Sequence, residues 1–289
     1  MTGNLLKNKS LQKAILKAVD NLPPMPQSMH KARAIVEDPN SGLKDLEKLI
    51  ITDQAFAVKV LRIANSAYYS RVKKVSSIQE AAVVIGMKTL GELITLACAS
   101  TLLNKTLRGY DLSAKSLWRH SIGVAIGSKI IASRKYPTLA NDAFSAGLIH
   151  DAGKLILDDY IFERKEAFKE YMADKEQTFL SAEKEILGFE HAEIAAMVCE
   201  KWNFPKSITV AIRYHHQPSR LMGNKLAYIV HVADQITAWI GMNIDGITLE
   251  IADNSLEVVG IQADEIARIV DEISEYTDQV VDTIEGGRA

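Results

Sequence analysis

Apolar residues recur at three- and four-residue intervals along almost the whole chain, and sustained apolar–polar alternation of the strand type is missing. The pattern predicts a short helix from Ser10 to Asn21 that runs into Leu22-Pro23-Pro24-Met25-Pro26, where the prolines force an extended turn. Helices are expected next over 27–37, before the breaker Asp38-Pro39-Asn40-Ser41-Gly42, and over 43–52. Asp53 reads as the cap of a helix over 54–69, and Ser76 or Ser77 as the cap of another through Ile85. Beyond Gly86 a long apolar helix covers 89–103. From Asp111 onward the spacing predicts helices over 113–134, 141–152, 158–174, 178–187, 190–202, 205–216, 224–241 and 262–284. Residues 242–261 read as an irregular excursion holding one short helix. The last helix carries Ile266, Ile269, Val270, Ile273, Tyr276, Val280 and Val281 on one face. Such a stripe either packs back on its own domain or pairs with a copy of itself in a homodimer.

The expectation is therefore an all-α fold, a multi-helix bundle in two packed halves. The boundary falls near residue 110, in Lys105-Thr-Leu-Arg-Gly-Tyr110, between an N-terminal helical half (1–110) and a second half (111–289) that ends in the amphipathic helix.

Composition narrows the function classes. Apolar residues make up 47% and charged residues 24% of the 289 residues, ordinary values for a chain with a packed core. A net charge of −2 leaves no electrostatic footprint for sequence-independent nucleic-acid binding. Ile85-Gly-Met-Lys-Thr-Leu-Gly-Glu-Leu-Ile94 is faintly similar to a helix-turn-helix, but one lysine against a glutamate is the wrong charge for groove docking, so no specific nucleic-acid binding is expected. Cys98 and Cys199 sit in apolar helical stretches and read as buried thiols. No basic-then-apolar leader opens the chain, and no apolar run approaches the ~20 residues that span a bilayer, so the sequence points to the cytoplasm and away from a membrane. Trp118, Trp202 and Trp239 read as core.

The candidate chemistry lies in the histidines. Of seven in the chain, five fall in an ordered series with two aspartates: His120, His150-Asp151, His191, His215-His216 and Asp234. The series is spread over several predicted helices, as a metal site inside a helical bundle requires. His120 shares a stripe with Leu117, Val124 and Ile131, and Asp234 one with Ala227, Val230 and Ala238. A carboxylate on an apolar stripe needs a cation, because desolvating an unpaired charge costs several kcal/mol. His191 faces the same way as Ile194, Ala195 and Val198, and Gln217-Pro218 ends the helix at the His215-His216 doublet so that both rings can meet one cavity. Imidazole and carboxylate together suit Fe, Mn, Zn or Ni. Two such ions would activate a water and clamp a phosphate oxygen, and Lys154, one turn past His150, could stabilise a phosphoryl transition state. His231 stands three residues before Asp234 and within reach of a hydrogen bond to it.

His120, His150-Asp151-Ala-Gly-Lys154 and Asp234 resemble the HD superfamily of metal-dependent phosphohydrolases, and the added His191 and His215-His216 resemble the fuller ligand set of its HD-GYP branch. The other half is more specific. Leu22-Pro23-Pro24-Met25-Pro26, Ile51-Thr-Asp53, Val60-Leu-Arg-Ile-Ala-Asn65-Ser-Ala-Tyr68-Tyr, Ile78-Gln-Glu-Ala-Ala-Val-Val-Ile-Gly86 and Ala143-Phe-Ser-Ala-Gly-Leu-Ile-His-Asp151 are similar to the HDOD family, over roughly residues 15–240. The resemblance implies a bacterial signal-transduction output module. It makes His120, His150, Asp151 and Asp234 ligands of a first divalent ion, with Fe or Mn first in order and one or two ions per chain. Asp151 would bridge to a second ion on His191, His215 and His216, and Lys154 would contact a phosphate. The Gly-Tyr-Pro element that follows the doublet in the HD-GYP branch is missing, since this chain reads His215-His-Gln-Pro-Ser-Arg-Leu221, and that weighs against cyclic di-GMP hydrolysis.

Two readings stand at this point. The first is a regulatory HDOD protein that binds metal and acts through a signalling partner or a nucleotide-type ligand, with the apolar stretches 61–69, 78–85 and 90–103 as core or docking surface. The second is an active metal-dependent phosphohydrolase on a nucleotide or cyclic dinucleotide, with Asp151 and Lys154 as its catalytic residues.

Overall fold

The first helix of the computed structural model, α1 (Thr2–Asp20), starts eight residues ahead of the expected Ser10, and Ile15 and Val19 are its buried positions. The structure describes residues 2–22, 35, 54–69, 74–221, 223–242 and 254–285. The helices expected over 27–37 and 43–52, the Asp53 cap and the side chain of Cys98 lie outside the described residues. After α2 (Gln54–Ala64), Ser77 caps α3 (Ile78–Ile85) by accepting the Glu80 amide at 3.1 Å. The Glu80 carboxylate in turn accepts the Ser76 amide at 2.8 Å, which closes the first turn from both sides. Gly86 adopts φ +83, a conformation that glycine tolerates without cost, and lets the chain turn directly into α4 (Met87–Leu103).

The second half is α5 (Ser116–Lys135), α6 (Ala140–Ile149), α7 (Lys154–Phe162), α8 (Lys165–Met172), α9 (Phe179–Ala182), α10 (His191–Lys201), α11 (Lys206–Arg213), α12 (Lys225–Thr237), α13 (Ser255–Val259) and α14 (Ala263–Glu285). Among the described residues there is no strand, only a single antiparallel bridge between Leu107 and Leu112. The helix expected over 158–174 is two. It begins at Lys154, and non-helical Arg164 breaks it while its guanidinium bonds the Tyr160 carbonyl at 3.0 Å. The segment over 178–187 opens with a Thr178–Ser181 capping pair and ends as a π-helical turn, Glu183–Leu187. A kinked turn, Ala238–Met242, follows α12, with Ile240 and Gly241 outside helical geometry.

Helix α5 is central and packs against α6, α12 and α14. The stripe on α14 is spent inside the chain: Ile269, Ile273, Val280 and Val281 are buried, and Arg134 grips Glu272 at 2.7 Å on the flank. Trp118 and Trp202 are core, whereas Trp239 is 41% exposed. It stands just past the end of α12, beside a kink where Ile240 and Gly241 leave helical geometry, Gly241 at φ +85. One continuous apolar cluster runs through both sides of residue 110. α1 lies against α7 and α10, and Tyr68, just past α2, meets Tyr276 of α14 with ring centroids 5.0 Å apart. The stretches offered as docking surface are mainly core, with Val83 (74% exposed) and Val84 the open apolar positions on α3.

Candidate metal centre

Five elements deliver the series to one place. His120 comes from the middle of α5, and His150 and Asp151 from the turn that ends α6. His191 is the first residue of α10, His215 and His216 form the turn after α11, and Asp234 lies on α12. The structure brings all seven side chains together, in three overlapping groups: His120, His150 and Asp151; Asp151, His191, His215 and His216; and His150, His215 and Asp234. Six of them are buried and His216 is half-buried.

Gly153 sets the spacing between the groups. A Cβ at this position would overlap the His191 carbonyl oxygen and come within 2.8 Å of the Ala195 amide, so only glycine lets α7 start against α10. That contact places His191 Nε2 3.1 Å from Asp151 Oδ1.

The rings are oriented from behind. His120 Nδ1 lies 2.8 Å from the Met242 carbonyl, His150 Nδ1 2.7 Å from that of Gly147, and His215 Nδ1 2.7 Å from that of Ile212. A carbonyl only accepts, so each Nδ1 carries the proton and each Nε2 turns a lone pair inward. His231 Nδ1 donates to the His215 carbonyl at 2.8 Å and steadies the doublet. His191 differs from the rest, since its Nδ1 sits 2.9 Å from the carboxylate of Glu183.

On the first side, His120 Nε2 is 3.1 Å from Asp234 Oδ1 and 3.3 Å from His150 Nε2, and His150 Nε2 is 3.4 Å from Asp151 Oδ2. On the second, His191 Nε2 is 3.1 Å from Asp151 Oδ1 and 2.8 Å from His216 Nε2. Donor atoms bound to one ion at about 2.1 Å stand roughly 3.0–3.4 Å apart along a coordination edge, so most of these separations match shared coordination. Asp151 Oδ1 and His215 Nε2 are buried without a hydrogen-bond partner, a state that costs about 1–3 kcal/mol each unless something fills it. Lone pairs from nitrogen and oxygen converging on an enclosed space fit a divalent cation.

Electrostatics agree with that donor set at His215 and His216, whereas His191 holds a proton that a bound ion has to displace. Burial holds His215 down to about 3 and pushes His216 well below the usual imidazole range, so both stay neutral and free to ligate. Burial pushes the Asp151 carboxyl up, but His150 and Lys154 overcome it and hold the group well below the usual carboxylate range. Burial likewise lowers His191, yet the Glu183 carboxylate outweighs it and raises the ring to about 10. Lys154 is fully buried, its Nζ 2.7 Å from Asp151 Oδ2.

Glu183 and Tyr110 belong to the site and were not singled out by sequence reasoning. The one local signal was a glutamate beside the apolar Phe179 and Ala182, eight residues before His191. Tyr110 lies 73 residues from its partner Glu183, beyond the reach of any local pattern.

The HDOD domain profile matches residues 22–218. An HDOD domain protein of unknown function from Geobacter sulfurreducens shares the fold with a TM-score of 0.78 at 24% identity, over 97% of this chain and 98% of that one. A candidate phosphohydrolase from Shewanella amazonensis SB2B superposes with a TM-score of 0.72 at 26% identity, over 94% and 97% of the two chains. An uncharacterized protein of Treponema pallidum (strain Nichols) is 26% identical over 207 residues, 71% of this chain. The chain spans 40% of the length of that relative.

Proposed function

The chain belongs to the HDOD family, and from that premise we propose that it is a regulatory output protein of bacterial signal transduction with a two-ion metal centre. His120, His150, Asp151 and Asp234 hold the first ion, and Asp151, His191, His215 and His216 the second, with Fe or Mn preferred over Zn or Ni. The observation that supports this reading is the convergence of seven candidate donors, with the Nε2 lone pairs of His120, His150 and His215 turned inward. Residues 1–110 form the partner-facing half, where Val83 and Val84 stand open on α3, and those from 111 on form the metal-bearing half. A signalling protein or a nucleotide-type ligand in the cytoplasm supplies the input. Among the described residues no helix is long and apolar enough to cross a membrane. Pairing through the α14 stripe is not part of this reading, because that face is already buried against α5.

The test is metal content by mass spectrometry on protein purified without chelator, beside Asp151→Ala. Near-stoichiometric metal that disappears in the variant supports the centre. No metal in the wild type overturns it.

A second reading, hydrolysis of a phosphodiester, is favoured by Lys154, which is fully buried beside the bridging carboxylate. A bound ion pair would supply Lewis acidity and an activated water. Lys154 would hold negative charge on the phosphoryl oxygens, while Asp151 keeps the donors in register. His216, the half-buried member, marks the side from which a substrate reaches them. Turnover of a cyclic dinucleotide or bis-p-nitrophenyl phosphate, lost in Asp151→Ala with the fold intact, would support hydrolysis; silence with fully loaded protein would leave the regulatory reading alone.

A further inference from the structure

The two metal positions differ in one support, although His215 at the second leans on the Ile212 carbonyl as the first-position rings lean on theirs. At the first, His120 and His150 lean on the main-chain carbonyls of Met242 and Gly147, which belong to the bundle itself. At the second, His191 leans on Glu183, a fully buried carboxylate that accepts from His191 Nδ1 at 2.9 Å and from the His191 amide at 2.8 Å. A carboxylate behind an imidazole strengthens it as a ligand, and its loss typically costs about 10- to 100-fold in metal affinity.

Glu183 has one further partner. Tyr110 donates its phenol to Oε1 at 2.6 Å, and Lys154 Nζ stands 5.7 Å from the centre of the Tyr110 ring. Tyr110 sits in the loop that joins the two halves, closed by the reciprocal main-chain bonds of Leu107 and Leu112 at 3.0 and 2.8 Å. Asp158 of α7 clamps that loop by accepting the amides of Arg108 at 3.1 Å and Gly109 at 2.7 Å. Gly109 lies so close to α7 that a Cβ would overlap the Asp158 carbonyl and meet Ile161 Cβ at 2.9 Å. Unbroken hydrogen bonds thus run from the connecting loop through Tyr110 and Glu183 to His191.

We infer that Glu183 is the positioning residue of the second metal position, and that Tyr110 ties it to the 107–112 loop so that filling that position tightens the connection between the halves. The inference deepens the two-ion reading and rests on it. Glu183→Gln keeps the shape and an acceptor but removes the charge, and Tyr110→Phe removes a single hydroxyl.

The experiment is Mn2+ titration of the full chain by equilibrium dialysis, paired with amide hydrogen exchange at residues 108–110 with and without Mn2+. The expected wild type binds two ions and exchanges those amides more slowly when loaded. Glu183→Gln keeps the first ion at wild-type affinity and binds the second about 10- to 100-fold more weakly. Tyr110→Phe loses the Mn2+-dependent slowing, and it carries the test if Glu183→Gln does not fold. Equal weakening of both ions, wild-type affinity in Glu183→Gln, or wild-type exchange indifferent to Mn2+ each overturns the inference. A wild type that binds no Mn2+ brings down the two-ion reading itself, and the inference with it.

Discussion

Lys154 Nζ and Asp151 Oδ2 form an ion pair at 2.7 Å with both side chains fully buried. Removing one member of such a pair leaves an uncompensated charge, at a cost of about 3–5 kcal/mol. Lys154→Ala therefore unfolds at lower denaturant than the wild type when chelator is present. Saturating Mn2+ supplies another counter-charge to Asp151 and recovers part of the loss. Urea melts of both proteins in EDTA and in Mn2+ check this, and an equal gap in the two buffers contradicts it.

Gly153→Ala pushes a methyl into the His191 backbone. Overpacking of this kind costs about 1–3 kcal/mol, and the added displacement of α10 moves His191 from Asp151. The expected protein is folded, retains the first ion and has lost most affinity for the second. Metal stoichiometry with a thermal melt measures both effects.

Glu92 gives a pH dependence outside the metal centre. Burial raises its carboxyl to about 7 against the ordinary 4.5, although Lys129 pulls the other way. The folded chain holds this proton to higher pH than the unfolded chain does. Its contribution is thus fully present below about 4.5 and is lost as pH rises through about 7, roughly 3 kcal/mol in all. Glu92→Gln should lose less stability than the wild type between pH 5 and pH 8. Parallel stability curves would contradict the assignment.

Ile273 on α14 is fully buried against α5. Ile273→Ala opens a cavity there and lowers stability by about 2–5 kcal/mol. Sedimentation should show no change in association state, because the stripe serves the monomer's own core.

The all-helical class was legible because the apolar period, the Ser77 cap and the break at Pro218 are local properties of neighbouring residues. The histidine series was legible as a set for a similar reason. His120 and Asp234 stand on apolar stripes, and burial of a polar group there demands a partner. Where tertiary contacts govern the winding, local reasoning failed. The break at Arg164 has no proline or glycine to announce it, and the exposure of Trp239 beside the kink at Ile240 and Gly241 is not marked by any change in the apolar period.

The helical class, the inward faces and the seven candidate donors were therefore legible in the sequence alone, since each depends on residues within a turn or two of one another. The pairing of the donors was decided by tertiary structure. Which oxygen of Asp151 faces His150 and which faces His191 depends on how closely α7 approaches α10, and Gly153 sets that approach. The support behind His191 comes from Glu183 and Tyr110, brought together across 73 residues by packing that no local pattern encodes.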